Sequence, residues 1–369
     1  MAARTTNRRG RLAKRIAIIT AIVLVLLYVV GGFILSNSIY SQNFVRDDVD
    51  RAGIFVPNLV YGDINQKDYP RTEFRFPSGD AELVGYEYGA GNTRGLVVVS
   101  SGLGGTGDNY MNFVTRFVDD GFLVITYDMT GVAQSGGDSM RGVYQGALDV
   151  DALLSHIERE PRYGELPIYL IGHSWGGYGV CAALVHPHRV KAVVSMAGYN
   201  SGNEVFTTQG TQMAGPGFYV LYPHLWILQR MVFGSAMDVT ATDGINASGI
   251  PVLVMQGSND EEITADVLSI YAYRDEITNS KTEYLLTDGD HEWLYASPAA
   301  QEYRAAMQAS WEEYSQRPDV QAELASGDTS RIQAAKRAWA DEVGFDKPLY
   351  NSIDEGIMQR IESFFDNAS

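Results

Sequence analysis

A single cysteine, Cys181, stands in the 369 residues, so no disulfide forms within the chain. That scarcity leaves the compartment open, because exported proteins without cystines are common. Acidic residues are missing from the first 35 positions, where Arg4, Arg8, Arg9, Arg11, Lys14 and Arg15 stand instead. With a formal net charge of −17 overall, the acidic excess falls on everything after that segment. Such a surface repels nucleic acid and anionic headgroups within a Debye length, which removes nucleic acid from the expected partners. No group of His, Cys, Asp or Glu has metal-ligand spacing, so neither a metal nor another cofactor is expected. Repeats with a period of roughly 20 to 50 residues and low-complexity tracts are missing too, which sets solenoids and fibres aside.

What is present begins with an uncharged apolar run, Ile16 to Leu35, behind the basic residues. Its 20 residues, at about 1.5 Å each, match a hydrocarbon core of roughly 30 Å. It is long for the apolar part of a signal peptide, and the following SNSIYSQ has no small-residue cleavage site. The expectation is an uncleaved transmembrane signal anchor over 16–35. Residues 1–15 then form a basic cytoplasmic tail, and the chain from about residue 40 lies outside the cell membrane. A removed signal peptide is the alternative, and it exports the remainder equally. Residues 36–70 lack a clear period and read as a stalk or connector.

From residue 71 the pattern becomes regular. TEFRFPS and ELVGYEY alternate apolar and polar residues around Gly79-Asp80, as two antiparallel strands do. GLVVVSSG, FLVITYDM, PIYLIGHS, VKAVVSMAG and PVLVMQG are short β-branched runs, as strands buried on both faces require. Helix-like stretches intervene at 108–120, 143–159, 177–186 and 264–277, and KTEYLLTDG adds a strand. This alternation predicts an α/β class, with a mostly parallel, doubly wound sheet. Two segments interrupt it. Residues 199–248 form an insertion holding the apolar FYVLYPHLWILQRMVF, which reads either as a helical pair packed on the core or as a cap lining an acyl pocket. Residues 296–345 are helical by propensity and carry no evident chemistry. NSIDEGIMQRIESFF reads as the closing helix.

The chemistry centres on Gly172-His173-Ser174-Trp175-Gly176, a G-x-S-x-G placed between a buried strand and a helix. In that setting a tight turn pushes Ser174 out at the top of the sheet, and only small residues fit beside it. The helix behind it aims its N-terminal amides where negative charge develops. A serine hydroxyl needs a base, and the base needs a carboxylate to orient it. PVLVMQG runs out into Ser258-Asn259-Asp260, and the next strand ends at Asp288-Gly289-Asp290-His291. Asp260 and His291 thus reach the sheet edge where Ser174 emerges. Glu261, Glu262 and Asp290 are neighbouring rivals of Asp260. His156, His186, His188 and His224 have structural readings, and His173 is poorly aimed to serve Ser174. Oxyanion donors are expected from the backbone N–H of Trp175 and from the loop Ser101-Gly102-Leu103-Gly104-Gly105, where Leu103 fits best. That loop lacks the spacing of a dinucleotide or nucleotide site.

SSGLGGTGDNY, YDMTGVAQSGG, GHSWGGYG, QGSNDE and DGDHEW occur in this order, and residues 72 to about 295 resemble the α/β-hydrolase superfamily. Within it the chain looks most like monoacylglycerol lipase-like and serine aminopeptidase-like hydrolases that carry a cap late in the sheet. The resemblance implies an α/β-hydrolase domain over 71–369, Ser174, Asp260 and His291 as a triad, and Leu103 and Trp175 as oxyanion donors. Ser101-Gly102 and Val132 depart from residues usual in that group. The expected activity is ester hydrolysis through an acyl-enzyme, with Tyr219, Leu225, Trp226 and Phe233 of the insertion favouring an acyl or aromatic substrate. A peptidase holding a substrate ammonium at Glu204, Asp238 and Asp243 is the second expectation, and an inactive binding or scaffold protein the third.

Overall fold

The computed structural model describes residues 2–47 and 54–368. Helix α1, Ala2–Asn43, is unbroken and outlasts the apolar run. Residues 36–43 contain neither Gly nor Pro. Ser41 and Asn43 donate to carbonyls four residues back, so the polar end stays helical. Arg11–Asn43 includes a window long and apolar enough to cross a membrane, only 6% of it buried within the protein.

The expected stalk over 36–70 is instead docked along much of its length. Tyr40 and Phe44 pack on the core, and the Arg46 guanidinium donates to the carbonyls of Ala133, Ser135 and Gly137 at 2.9, 2.8 and 2.6 Å. Leu59, Tyr61 and Ile64 lie against the opposite side of the core. Part of that segment, 48–53, lies outside the described residues.

Eight strands form one sheet: β1 Arg71–Ser78, β2 Ala81–Tyr88, β3 Leu96–Ser100, β4 Leu123–Tyr127, β5 Ile168–His173, β6 Val190–Met196, β7 Val252–Gly257 and β8 Thr282–Thr287. Their order is β1-β2-β4-β3-β5-β6-β7-β8. β1 and β2 form the expected hairpin at Gly79, β2 also runs antiparallel to β4, and all remaining pairs are parallel. β3, β4, β5 and β7 are buried throughout, which is why they read as continuous apolar runs.

Helices α2 Met111–Asp119, α3 Gln145–Arg159 and α4 Trp175–Ala182 cover the sheet where helices are expected. The helix expected over 264–277 does not form; only a 3₁₀ turn, Ile270–Tyr273, occurs there. Ser269 decides this locally. Its hydroxyl accepts from Ala272 N, and its backbone bridges to Tyr199, so that side chain and the adjoining backbone bond outside a helix.

The insertion after β6 contains α5 Gly202–Ala214, α6 Phe218–Phe233 and α7 Ala241–Ser248. α7 belongs to the core rather than to a cap. A Cβ on Gly244 would lie 1.9 Å from Cys181 O, so this helix presses directly on α4. The protruding part is α5 and α6 alone. After β8, α8 Pro298–Ser315, α9 Pro318–Ala325 and α10 Thr329–Val343 build a small core of their own around Tyr314, Val320 and Trp339, onto which Phe55 and Phe345 pack. The short α11, Lys347–Tyr350, leads to α12, Glu355–Asp366, whose Met358, Ile361, Phe364 and Phe365 close the core.

Candidate active site

Ser174 caps α4 with φ 56° and ψ −116°, a conformation L residues rarely adopt. The glycines around it explain how the turn closes. A Cβ on Gly172 would lie 2.3 Å from Gly176 O, and one on Gly176 2.2 Å from Ser100 O. Strand, turn and helix therefore touch through backbone, and the strain is borne at the residue whose hydroxyl emerges.

Asp260 and His291 leave the carboxyl ends of β7 and β8 and meet that hydroxyl. His291 Nε2 is 2.9 Å from Ser174 Oγ, and His291 Nδ1 is 2.8 Å from Asp260 Oδ2. The Asp260 carboxylate is itself held. Gln256 Nε2 donates to Oδ2 at 2.9 Å, and the amides of Glu262 and Ile263 donate to Oδ1 at 3.0 and 2.7 Å. Burial alone would push Asp260 up, but the hydrogen bond and charge of His291, with these donors, hold it below the usual carboxylate range. Burial would lower His291, and the Asp260 hydrogen bond and charge outweigh it, so the imidazole lies above its ordinary value. Among the rivals, Glu262 reaches no closer than 3.9 Å to His291 Nε2 and is exposed, while Asp290 caps the backbone at Trp293.

Two residues with no role in the site expected from the sequence hold its loops. His173 Nε2 is 2.8 Å from the backbone oxygen of His291, and its Nδ1 is 2.6 Å from Tyr110 Oη. A carbonyl only accepts, so Nε2 carries the proton and Nδ1 accepts from the tyrosine. Burial and the charge of His291 press His173 down to about 3, so it stays neutral and pins the loop bearing the base. Its place beside the nucleophile was visible; its partner 118 positions away was not. Asp128 is a second such residue, accepting from Gly107 N at 2.7 Å and thereby anchoring the glycine loop.

That loop lies against the nucleophile: a Cβ on Gly102 would be 3.6 Å from Ser174 Cβ. The N–H groups of Leu103 and Trp175 have no hydrogen-bond partner among the described residues. The four insertion residues do not converge. Leu225 and Phe233 are buried, Phe233 against the Tyr144 ring, while Tyr219 and Trp226 face outward. A pocket lined by all four is therefore corrected. A cavity of about 640 Å³ lies beyond the His291 loop among Trp293, Arg304, Trp311 and Trp339, and Ser174 is not part of its wall.

The sheet order, the strained serine between β5 and α4, and the Asp260–His291–Ser174 contacts form one pattern. Residues 91–243 match the family model described as serine aminopeptidase, S33. The chain has the α/β-hydrolase fold. As an enzyme it is a serine hydrolase. An esterase of Pyrococcus furiosus superposes with a TM-score of 0.50 at 18% identity, over 71% of this chain and 99% of its own. Acetyl xylan esterase 1 from Thermoanaerobacterium sp. gives 0.49 at 18%, over 66% and 84%. The acylaminoacyl peptidase of Pyrococcus horikoshii gives 0.47 at 17%, over 61% of the hydrolase and 38% of the peptidase. Among curated proteins none matches the hydrolase by sequence.

Proposed function

We propose that the hydrolase cleaves carboxylic esters at a membrane, by an acyl-enzyme route through Ser174. The relay of 2.8 and 2.9 Å contacts from Asp260 through His291 to Ser174 carries this reading. His291 Nε2 accepts the Ser174 proton as Oγ attacks the ester carbonyl. Asp260 holds Nδ1–H, fixing the tautomer and stabilising the imidazolium. The tetrahedral oxyanion is met by the amides of Leu103 and Trp175 and by the positive end of α4. His291 returns the proton to the leaving alcohol, then activates a water that releases the acid.

Ester rather than aminopeptidase chemistry is supported by the occupied state of the acidic residues in the insertion. Glu204 accepts from Tyr273 Oη at 2.6 Å, Asp238 pairs with Arg230 at 2.5 Å, and Asp243 caps α7 through Thr240. Each already has a partner within the protein, and the neighbouring surface of α6 is apolar. The apolar span of α1, preceded by basic residues, supports a single-pass anchor with the catalytic part extracytoplasmic. Comparing acyl esters of graded chain length with aminoacyl amides on the purified full chain tests the reading. Faster turnover of the amides would reject it, and an inert protein would favour the scaffold.

A further inference from the structure

α1 and α6 run side by side. Tyr28 Oη donates to Val220 O at 3.0 Å, and the rings of Tyr28 and Phe33 stand edge-on to His224 at 4.7 and 5.0 Å. A Cβ on Gly32 would fall 2.4 Å from that imidazole, so the glycine is what lets the helices approach. Further along, the Tyr40 hydroxyl donates to Arg141 O, and the Tyr40 and Phe233 rings both border Gly142. Tyr28 with Val220, Phe33 with His224 and Tyr40 near Phe233 form a ladder, so the two helices share one direction.

The ladder fixes a depth. Leu35 ends the apolar run and Tyr28 lies seven residues earlier, which is about 10 Å further in along the axis. Val220 stands level with Tyr28. Charge follows the same ruler: from Val205 to Gln229 no Asp, Glu, Lys or Arg occurs, in a chain that is 20% charged. The first charge, Arg230, comes between the levels of Phe33 and Tyr40, where the apolar run has ended, and it is paired with Asp238. On the outward face Tyr219, Val220, Trp226, Ile227, Met231 and Val232 are exposed.

We infer that α6 is itself seated in the bilayer beside α1, with its Phe218 end deepest and its exposed face against the acyl chains of the leaflet on the hydrolase side. This rests on the reading of α1 as a membrane anchor. Lipid, rather than a second copy of the chain, is the occupant because two helices in contact at one level share one medium. If Tyr28 is in hydrocarbon, Val220 cannot be in water. The insertion is then a membrane-embedded element, and substrate already dissolved in the leaflet is adjacent to it.

Cys181 is buried, so single cysteines placed on the surface can be spin-labelled selectively. Tyr219→Cys, Ile227→Cys, Val25→Cys in the anchor and Glu323→Cys on α9 are made in the full chain. They are reconstituted in phosphatidylcholine–phosphatidylglycerol vesicles, with circular dichroism melts confirming that each variant folds. Accessibility to oxygen over a water-soluble nickel chelate is then read. The inference expects position 219 to match position 25, at a ratio several-fold above position 323, with position 227 between them. If position 25 reads lipid while 219 and 227 match 323, α6 lies in water and the inference is overturned while the anchor stands. Spin–spin broadening at 219 shows a second copy covering the face and also overturns it. If position 25 itself reads water, the anchor fails and the inference with it.

Discussion

Ser174, Asp260 and His291 divide one task, and their substitution effects differ in kind. Ser174→Ala removes the nucleophile and is expected to lower kcat by roughly 10⁴-fold or more. Asp260→Asn, expected to cost about 10⁴-fold, releases the tautomer that the carboxylate fixes. The base works only as neutral imidazole, and Asp260 raises its pKa. The acid limb of kcat/KM therefore lies above about 6.5, and in the Asp260→Asn protein the residual limb moves down in pH. A limb unmoved by that substitution would assign the titration to another group. His173 supplies the opposite sign. In the folded protein its pKa is pressed to about 3, while the unfolded chain takes up the proton near 6.5. Stability thus falls as pH drops through that window, by up to about 1.4 kcal/mol per pH unit. Urea midpoints of His173→Gln, followed from neutral pH downward, are expected to decline less steeply than those of the parent chain. His173 itself was legible only as a neighbour of the nucleophile. Its hydrogen bond to His291 O depends on two strand ends meeting in space, and no local pattern records that.

Elements were legible where periodicity and burial agree. β3, β4, β5 and β7 read from the sequence as buried strands, and G-x-S-x-G between strand and helix marks the elbow. The helix expected over 264–277 was lost to Ser269, whose local hydrogen bonds outweigh a weak apolar pattern. The docking of the segment expected as a stalk or connector shows the same limit, because Arg46 finds three carbonyls more than 80 positions away. Close backbone contacts between elements give a direct test. A methyl at Gly244 would sit 1.9 Å from Cys181 O, so Gly244→Ala forces α7 from α4 and is expected to cost about 1–3 kcal/mol in urea unfolding. An unchanged midpoint would show that the two helices are not in direct contact. Leu225 and Phe233 seemed suited to a pocket by chemistry alone, and only the direction they face on α6 removed them.

At the scale of the whole molecule, an acidic hydrolase domain hangs from an apolar helix that it also packs against, through Tyr28, Gly32 and Phe33. Removing residues 1–43 would strip that cover from His224 and α6. The fragment is expected to turn over short soluble esters while self-associating unless detergent is present, as sedimentation would record; a monodisperse fragment without detergent would contradict the packing. The second helical group, α8 to α10, is held by its own aromatic cluster, and Trp339→Ala is expected to loosen it at a cost of about 3–5 kcal/mol in that group's unfolding. Its position behind the His291 loop was beyond reach of the sequence, which shows its helices but not what they cover. Beneath all of this lies the claim that three distant side chains act as one at Ser174. A fluorophosphonate probe on the intact protein, read by peptide mass spectrometry, tests it most directly. A single adduct on the peptide holding Ser174, absent in Ser174→Ala and strongly slowed in His291→Ala, is the expected result; no adduct, or labelling that persists in Ser174→Ala, would contradict the account.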